Sequence, residues 1–117
     1  MDLSLSAADA AFRDEVRQFL DAHLTEELRA GGRLTTGILS DHALSQRWQK
    51  ILYRKGWAAP AWPEQYGGTG WSAMQRYLFA SECARAGAPR LSPLGLQMVG
   101  PVLIGHGSEA QRAHYLP

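Results

Sequence analysis

The segment from Gly56 to Gly70 constrains the fold more than any other part of this chain. Its sequence, GWAAPAWPEQYGGTG, holds two prolines, four glycines, two tryptophans and one tyrosine between stretches with helical periodicity. A flexible linker is rich in glycine and serine or in polar residues, whereas this segment carries large aromatic rings. The sequence therefore predicts a rigid loop that buries its rings between two helices.

Composition is that of a small globular protein. With 117 residues, 45% of them hydrophobic, the chain is predicted to form a single domain, residues 1–117. A net charge of +1 and scattered arginines leave no basic face for nucleic acid or an anionic membrane. The single cysteine, Cys83, excludes an intramolecular disulfide and multi-cysteine zinc patterns. Neither a secretory leader nor a run of the roughly 20 apolar residues that cross a bilayer is visible, so we expect a cytoplasmic protein.

Helical periodicity is strongest near the N-terminus. Ser6 can cap a helix, with Asp9 in a capping-box-like position, and apolar residues follow at three- and four-residue spacing. They are Phe12, Val16, Phe19, Leu20, Leu24 and Leu28. Glycine accepts the left-handed conformation just past a helix end, so Gly31 and Gly32 are predicted to terminate this helix. Residues 33–40 are predicted to be a polar connector.

Capping signals predict the starts of four further helices. The caps are Asp41 or Ser40, Ser72 with Gln75, Ser92 before Pro93, and Ser108 with Gln111. Gly56, Gly87 and the 105–107 segment are expected to end three of these helices, with Trp57 packing back on the first of them. Pro101 should kink or shorten the helix that begins near Ser92.

No stretch of useful length alternates between apolar and polar residues, so we predict no β-sheet. The fold class is therefore all-α, a bundle of about five helices packed around tryptophan and phenylalanine anchors. One face of the helix that begins at Ser72 is expected to be formed by Met74, Tyr77, Leu78 and Ser81.

Residue types that carry chemistry are present, but their spacing favours structural roles. The four histidines never lie three or four residues apart, as helical metal sites require. Cys83 has no neighbouring base and is interpreted as a packed or partly buried thiol. The carboxylates of Asp14, Glu15 and Asp21 alternate with arginines and are interpreted as a solvated face. No catalytic, metal-binding or cofactor-binding residue is therefore predicted.

The glycine-rich turn 67–70 invites comparison with phosphate-binding loops. It lacks the Gly-Lys-Ser/Thr ending of a P-loop and the glycine spacing of a dinucleotide fold, and no strand precedes it. A phosphate at the following helix N-terminus is one interpretation. Tight packing of the backbone against the aromatic rings is the favoured alternative.

An apolar stripe runs through the helix that follows Ser92. It consists of Leu91, Leu94, Gly95, Met98 and Val102. Core packing is the usual meaning of such a stripe and is favoured from composition alone. The alternative is the wall of an apolar ligand pocket, which a glycine and a flexible methionine would suit.

Four segments, in this order, resemble the N-terminal domain of the acyl-CoA dehydrogenases. FRDEVRQFL, residues 12–20, is similar to that domain's first helix, and residues 56–70 resemble its aromatic loop. SECARAG, residues 81–87, looks like the end of its third helix, and GSEAQ, residues 107–111, looks like the entry to its fifth. Each segment is weak alone, but their order and spacing make the resemblance specific.

This resemblance implies a three-part flavoenzyme that desaturates acyl-CoA thioesters. The family binds FAD between a central β-domain and a C-terminal helical domain, which also carries a glutamate as catalytic base. The helical N-terminal domain forms one side of the acyl pocket, and matching its pocket helix to this chain gives Leu91, Leu94, Gly95 and Met98 as substrate neighbours. We expect no tight FAD site and no dehydrogenase activity in this polypeptide alone, with the remaining dehydrogenase domains or subunits as partners.

Two hypotheses follow. In the first, the chain is the N-terminal domain of such a dehydrogenase, and its uncovered apolar surface should cause self-association. In the second, the chain is a stand-alone helical adaptor without catalysis. Recovery with a flavoprotein partner would support the first hypothesis, and recovery with unrelated proteins the second.

Overall fold

The fold is helical throughout the described ranges, as predicted. A computed structural model of the protein describes residues 3–34 and 41–117, and no strand occurs among them. The helices are α1 (Ala7–His23), α2 (Glu26–Arg33), α3 (His42–Lys55), α4 (Ala73–Ala86), α5 (Gly100–His106) and α6 (Glu109–Tyr115). A 3₁₀ turn, Glu64–Tyr66, lies between α3 and α4, and a wide π-helical turn, Leu94–Val99, leads directly into α5. Within these described ranges the six helices slightly exceed the predicted number of about five.

The predicted first helix is in fact two helices. Leu24 is extended and buried, and the Thr25 hydroxyl accepts the Leu28 N–H, so that a new helix, α2, begins at Glu26. Gly31 and Gly32 lie inside α2 and do not terminate it, contrary to the prediction. Gly32 instead permits a close approach, because a Cβ there would overlap the carbonyl oxygen of Gly87.

Helix α3 begins and ends as its sequence predicts. The Asp41 carboxylate accepts the Leu44 N–H, while the alternative cap, Ser40, and the connector residues 35–40 lie outside the described residues. Gly56 takes the left-handed conformation, with φ of +85°, which glycine adopts without steric cost. The Trp57 N–H then donates to the Leu52 carbonyl, which turns the indole back onto the helix and into the core.

Helix α4 packs against α1 and has the predicted capping box of Ser72 and Gln75. Its buried face, however, consists of Leu78, Phe79 and Glu82. Of the four residues predicted to form one face, only Leu78 belongs to this buried side, since Met74, Tyr77 and Ser81 are exposed. This helix is apolar on more than one side, so periodicity alone did not identify the face that meets α1.

The core is built around contacting aromatic rings. The Trp57 ring lies 4.7 Å from Phe19 of α1, 5.3 Å from Trp71 and 5.7 Å from Phe79 of α4, measured between ring centroids. Tilted and edge-to-face pairs at these distances are favourable beyond the area that they bury. The predicted burial of the loop's rings is therefore confirmed for Trp57, which contacts α1 and α4, whereas Trp62 and Tyr66 are only half-buried.

The last third of the chain forms a smaller unit in which α5 contacts the wide turn and α6. Ser108 and Gln111 form the predicted capping box at the start of α6. The Arg112 side chain reaches back, and its Nε donates to the Leu103 carbonyl at 3.0 Å. In the described ranges, no helix is sufficiently long and apolar to span a membrane.

Candidate functional site

The predicted stripe of apolar residues lies mostly at the surface. Leu94 and Met98 are each 57% exposed and Val102 is 59% exposed, so the core interpretation is wrong for these three residues. Leu91 is half-buried and packs against the core. Gly95 is exposed, and a Cβ added there would meet no atom within 4 Å. The chain thus presents an uncovered apolar row, anchored at Leu91, with free space beside Gly95.

Pro101 has a local effect on the helix that carries this row. The Gly100 N–H donates to the Gly95 carbonyl, five residues earlier, instead of to the Leu96 carbonyl four residues earlier. Pro101 has no N–H, so it offers no hydrogen bond to Leu96 either. The Trp62 indole Nε1 donates to the Leu96 carbonyl at 2.8 Å. The kink predicted at Pro101 therefore takes the form of a wide turn just before the proline.

A groove with a volume of about 700 Å³ opens beside the same turn. Its apolar lining includes Trp62, Leu96, Val99 and Leu103, and the polar side chains of Gln49, Tyr53 and Arg54 also line it. Of the four predicted substrate neighbours, only Gly95 lines this groove. Leu91, Leu94 and Met98 do not line it, so the predicted site residues do not form one enclosed cavity in this chain.

One carboxylate differs from the predicted surface pattern. Glu82 is only 8% exposed, and its two oxygens accept hydrogen bonds from Arg17 of α1 at 2.9 and 3.0 Å. The hydrogen bond from Arg17 lowers the pKa of Glu82, and this effect outweighs the opposing effect of burial. Glu82 therefore does not share the solvated environment that the sequence predicts for Asp14, Glu15 and Asp21. An ionised carboxylate held by an arginine is nevertheless a weak proton acceptor.

The remaining reactive residue types have structural environments. Burial raises the pKa of the Cys83 thiol to about 12, with a smaller contribution from the charge of Glu82, so the thiol is protonated and unreactive at neutral pH. This agrees with the predicted packed thiol. Within residues 3–34 and 41–117, no three histidine, cysteine or acidic side chains converge on a site for a metal ion.

Two of the three glycines in the turn 67–70 lie against other atoms of the chain, whereas a Cβ at Gly67 would meet none within 4 Å. A Cβ at Gly68 would overlap the Trp62 carbonyl oxygen, and a Cβ at Gly70 would overlap the Glu64 carboxylate. The Thr69 hydroxyl donates to the Pro60 carbonyl at 3.2 Å. Gly68 and Gly70 therefore pack tightly, but against a carbonyl and a carboxylate, so the prediction that the backbone packs on aromatic rings is wrong for these two glycines. A carboxylate at this position repels an anion, so the turn does not fit a phosphate of FAD.

Two contacts between distant parts of the chain were not predicted from the sequence. The hydrogen bond between Trp62 and Leu96 spans 34 positions. The only sequence signals for it are an unexplained second tryptophan in the loop and the proline at position 101. The pairing of Arg17 with Glu82 spans 65 positions and has no local signal.

Comparison with known proteins agrees with the fold. Residues 6–117 match the family model described as acyl-CoA dehydrogenase, N-terminal domain. The chain is 41% identical over 117 residues to acyl-CoA dehydrogenase FadE29 of Mycobacterium tuberculosis, covering 100% of this chain and 29% of that protein. It is 35% identical over 109 residues to acyl-CoA dehydrogenase IpdE1 of Mycolicibacterium smegmatis, covering 91% of this chain and 28% of that protein.

Solved structures give the same result. The chain superposes on the ChsE4–ChsE5 complex from Mycobacterium tuberculosis with a TM-score of 0.75 and 30% identity, covering 100% of this chain and 28% of that chain. It also superposes on a variant of the Tcur3481–Tcur3483 steroid ACAD with a TM-score of 0.76 and 32% identity, covering 95% of this chain and 28% of that chain. The chain thus spans less than a third of the length of these relatives. It belongs to the acyl-CoA dehydrogenase family and corresponds to the family's helical N-terminal domain.

Proposed function

We propose that this chain supplies one wall of the acyl pocket in an FAD-dependent acyl-CoA dehydrogenase that desaturates acyl-CoA thioesters. The observation that carries the proposal is the uncovered apolar row of Leu94, Met98 and Val102, with free space beside Gly95. A soluble domain rarely leaves such a row on one helix without a ligand or a partner surface to cover it.

The wall is suited to an apolar chain and not to a reacting centre. Leu94 and Met98 are four residues apart and offer flexible apolar side chains, and covering each of them contributes about 1 kcal/mol or more. Leu91 packs against the core and would hold the wall in place. No step of the reaction is assigned to these residues, which bind the substrate and exclude water.

Proton abstraction and flavin binding are assigned to other parts of the enzyme. Glu82 is bound to Arg17, and the Glu64 carboxylate beside Gly70 disfavours a phosphate at the glycine-rich turn. FAD is the cofactor that the family implies for the complete enzyme, and it would be held by parts other than the residues described above. The chain alone is accordingly proposed to be inactive.

The relatives support a partner and a substrate class. One similar structure is a complex of two components, ChsE4 and ChsE5, and another is named a steroid ACAD. We infer that this chain works with further dehydrogenase domains or subunits, and that the free space beside Gly95 accommodates a bulky acyl group. A cytoplasmic location is consistent with a single cysteine that is unpaired.

The first test is a native mass spectrum of the protein purified from its source, followed by an acyl-CoA oxidation assay with an artificial electron acceptor. An FAD-containing assembly that oxidises acyl-CoA supports the proposal. A flavin-free species with the mass of these 117 residues alone, and no activity, would contradict it and favour an adaptor without catalysis.

A pair of glycine variants then tests the wall. Gly95→Leu should fill the free space and lower kcat/KM for long or bulky acyl-CoA by about tenfold or more, mainly through KM. Gly105→Leu is the matched control, because Gly105 is also an exposed helical glycine whose added Cβ meets no atom within 4 Å. Equal effects of the two variants would show that Gly95 does not contact the substrate.

A further inference from the structure

The Trp62 indole compensates for a hydrogen bond that the helix cannot make. In the wide turn the Gly100 N–H donates to the Gly95 carbonyl and not to the Leu96 carbonyl. Pro101, the next residue, has no N–H that could donate to Leu96. A carbonyl that is half-buried and unpaired costs free energy, so the turn needs a donor from elsewhere. The indole provides it at 2.8 Å.

The indole also fits closely against the helix backbone. Gly100 is buried, and a Cβ there would overlap the ring of Trp62. The backbone of Trp62 is held by its loop. Its backbone N–H donates to the Ala59 carbonyl at 3.1 Å, and Gly68 lies against its carbonyl oxygen. The loop therefore sets the position of the indole, and the indole sets the register of the turn.

The register of the turn decides where the acyl wall lies. A wide turn inserts one residue relative to a regular helix, and returning to the regular register rotates one side of the insertion by about 100° relative to the other. Met98 and Gly95 lie within the turn, whereas Val102 lies beyond it. Loss of the wide register would therefore rotate Val102 relative to Leu94 and Gly95 and change the shape of the row.

We propose that Trp62 is a positioning residue that holds the wide turn at Leu94–Val99 and thereby sets the size of acyl group that the wall accepts. This inference rests on the proposed function. Trp62 does not need to touch the substrate, since it acts through the carbonyl of Leu96. The aromatic loop that dominates the sequence is thus a specificity element as well as a core element.

The kinetic test uses the flavoenzyme assembly that contains this chain. The readout is the ratio of kcat/KM for a bulky acyl-CoA to that for a short straight-chain acyl-CoA. Trp62→Phe removes the donor but keeps an aromatic ring, and it should change this ratio by about tenfold or more, mainly through KM. Tyr66→Phe is the control, because Tyr66 lines the same groove and has no hydrogen bond to Leu96 in the structure.

A rescue variant separates positioning from general damage. In Trp62→Phe combined with Pro101→Ala, the new N–H at position 101 lies five residues after Leu96 and can supply the missing hydrogen bond in the wide register. The double variant should return the ratio to within about threefold of wild type. An unchanged ratio in active Trp62→Phe, or a failure of the double variant to restore it, would overturn the positioning role alone.

Spectroscopy provides a readout that does not depend on activity. In the 117-residue chain the indole N–H proton of Trp62 should exchange with solvent far more slowly than that of a free indole. Exchange at the free rate would overturn the inference even if Trp62→Phe fails to assemble. Wild-type enzyme that oxidises no acyl-CoA would overturn the proposed function and, with it, the role in size selection.

Discussion

Arg17 and Glu82 connect α1 to α4 through two parallel hydrogen bonds, from Nε and Nη2 of the guanidinium to the two carboxylate oxygens. Their side chains differ in exposure, with 40% for Arg17 and 11% for Glu82, so the carboxylate is the buried partner. A bidentate pair of this kind fixes the relative orientation of the two side chains as well as the distance between them. It therefore sets how α4 lies on α1, alongside the aromatic rings that fill the space between the helices.

The first prediction concerns the removal of this buried carboxylate charge. Glu82→Gln should destabilise the fold by roughly 1–2 kcal/mol at pH 7, because one charge-assisted pair is replaced by a neutral acceptor beside an arginine. Chemical denaturation followed by circular dichroism measures this. Glu27→Gln is the matched control, since Glu27 also pairs with an arginine, Arg47, but both of these side chains are exposed. Its unfolding midpoint should not change, and equal losses in the two variants would contradict the prediction.

The second prediction concerns the contribution of Glu82 to stability at low pH. Arg17 lowers the pKa of folded Glu82 below its ordinary value of 4.5, so the stabilisation from this group is fully present above that pH and is lost as the pH falls through the folded value. The stability difference between wild type and Glu82→Gln should therefore shrink below about pH 4.5. Denaturation midpoints measured from pH 7 down to pH 3 would show it. A difference that stays constant with pH would mean that the charge of Glu82 does not matter.

The third prediction concerns the close approach of α2 to the end of α4. Gly32→Ala would place a Cβ against the Gly87 carbonyl, so it should cost about 1–3 kcal/mol despite alanine's better helix propensity. Gly105→Ala has open space and should be neutral, or stabilising by up to about 1 kcal/mol. Urea unfolding of both variants measures the contrast. If Gly32→Ala were the more stable variant, α2 would not lie against Gly87.

The fourth prediction concerns the thiol. With the pKa of Cys83 raised to about 12, only about one thiol in ten thousand is ionised at pH 8. Alkylation by iodoacetamide should be at least about a hundredfold slower in the folded chain than in the denatured chain, where the pKa returns to its ordinary value. Mass spectrometry over time gives both rates. Similar rates would show that the thiol is not protected by the fold.

The fifth prediction concerns self-association through the uncovered row. Met98→Lys should weaken self-association of the 117-residue chain by at least about tenfold, because a charge would have to be buried in an apolar contact. Sedimentation velocity at several concentrations measures the change. Leu3→Lys is the control, since Leu3 is exposed but lies outside the row. If Met98→Lys associates as strongly as wild type, the row is not the contact surface.

Local signals in the sequence predicted local structure well. Ser72 with Gln75 and Ser108 with Gln111 form the predicted capping boxes, and Gly56 ends α3 as expected, because each of these features depends only on residues within one turn. The break between α1 and α2 also had a local signal, since Thr25 precedes two glutamates, a typical helix start. This signal was overlooked because the helical spacing of apolar residues continues across the break.

Contacts between distant parts of the chain were not predictable in the same way. Periodicity placed Tyr77 on one face of α4 with Leu78, yet Tyr77 is 65% exposed and only Leu78 is buried, because the side that meets α1 depends on a distant helix. The apolar row was interpreted as core because a sequence pattern does not tell core from an uncovered surface. The register at Pro101 was equally hidden, since it depends on an indole from a different loop.

The contact between Trp57 and Trp71 also gives the fold an optical signature. Two indoles whose centroids are 5.3 Å apart and whose planes are inclined by 68° couple their electronic transitions, so they should produce an exciton couplet in the far-ultraviolet circular dichroism spectrum. Trp62 takes no part in the described ring contacts of this cluster and would not contribute to the couplet. The couplet therefore reports the packing of the aromatic core and not the wide turn that Trp62 contacts. It needs no added label.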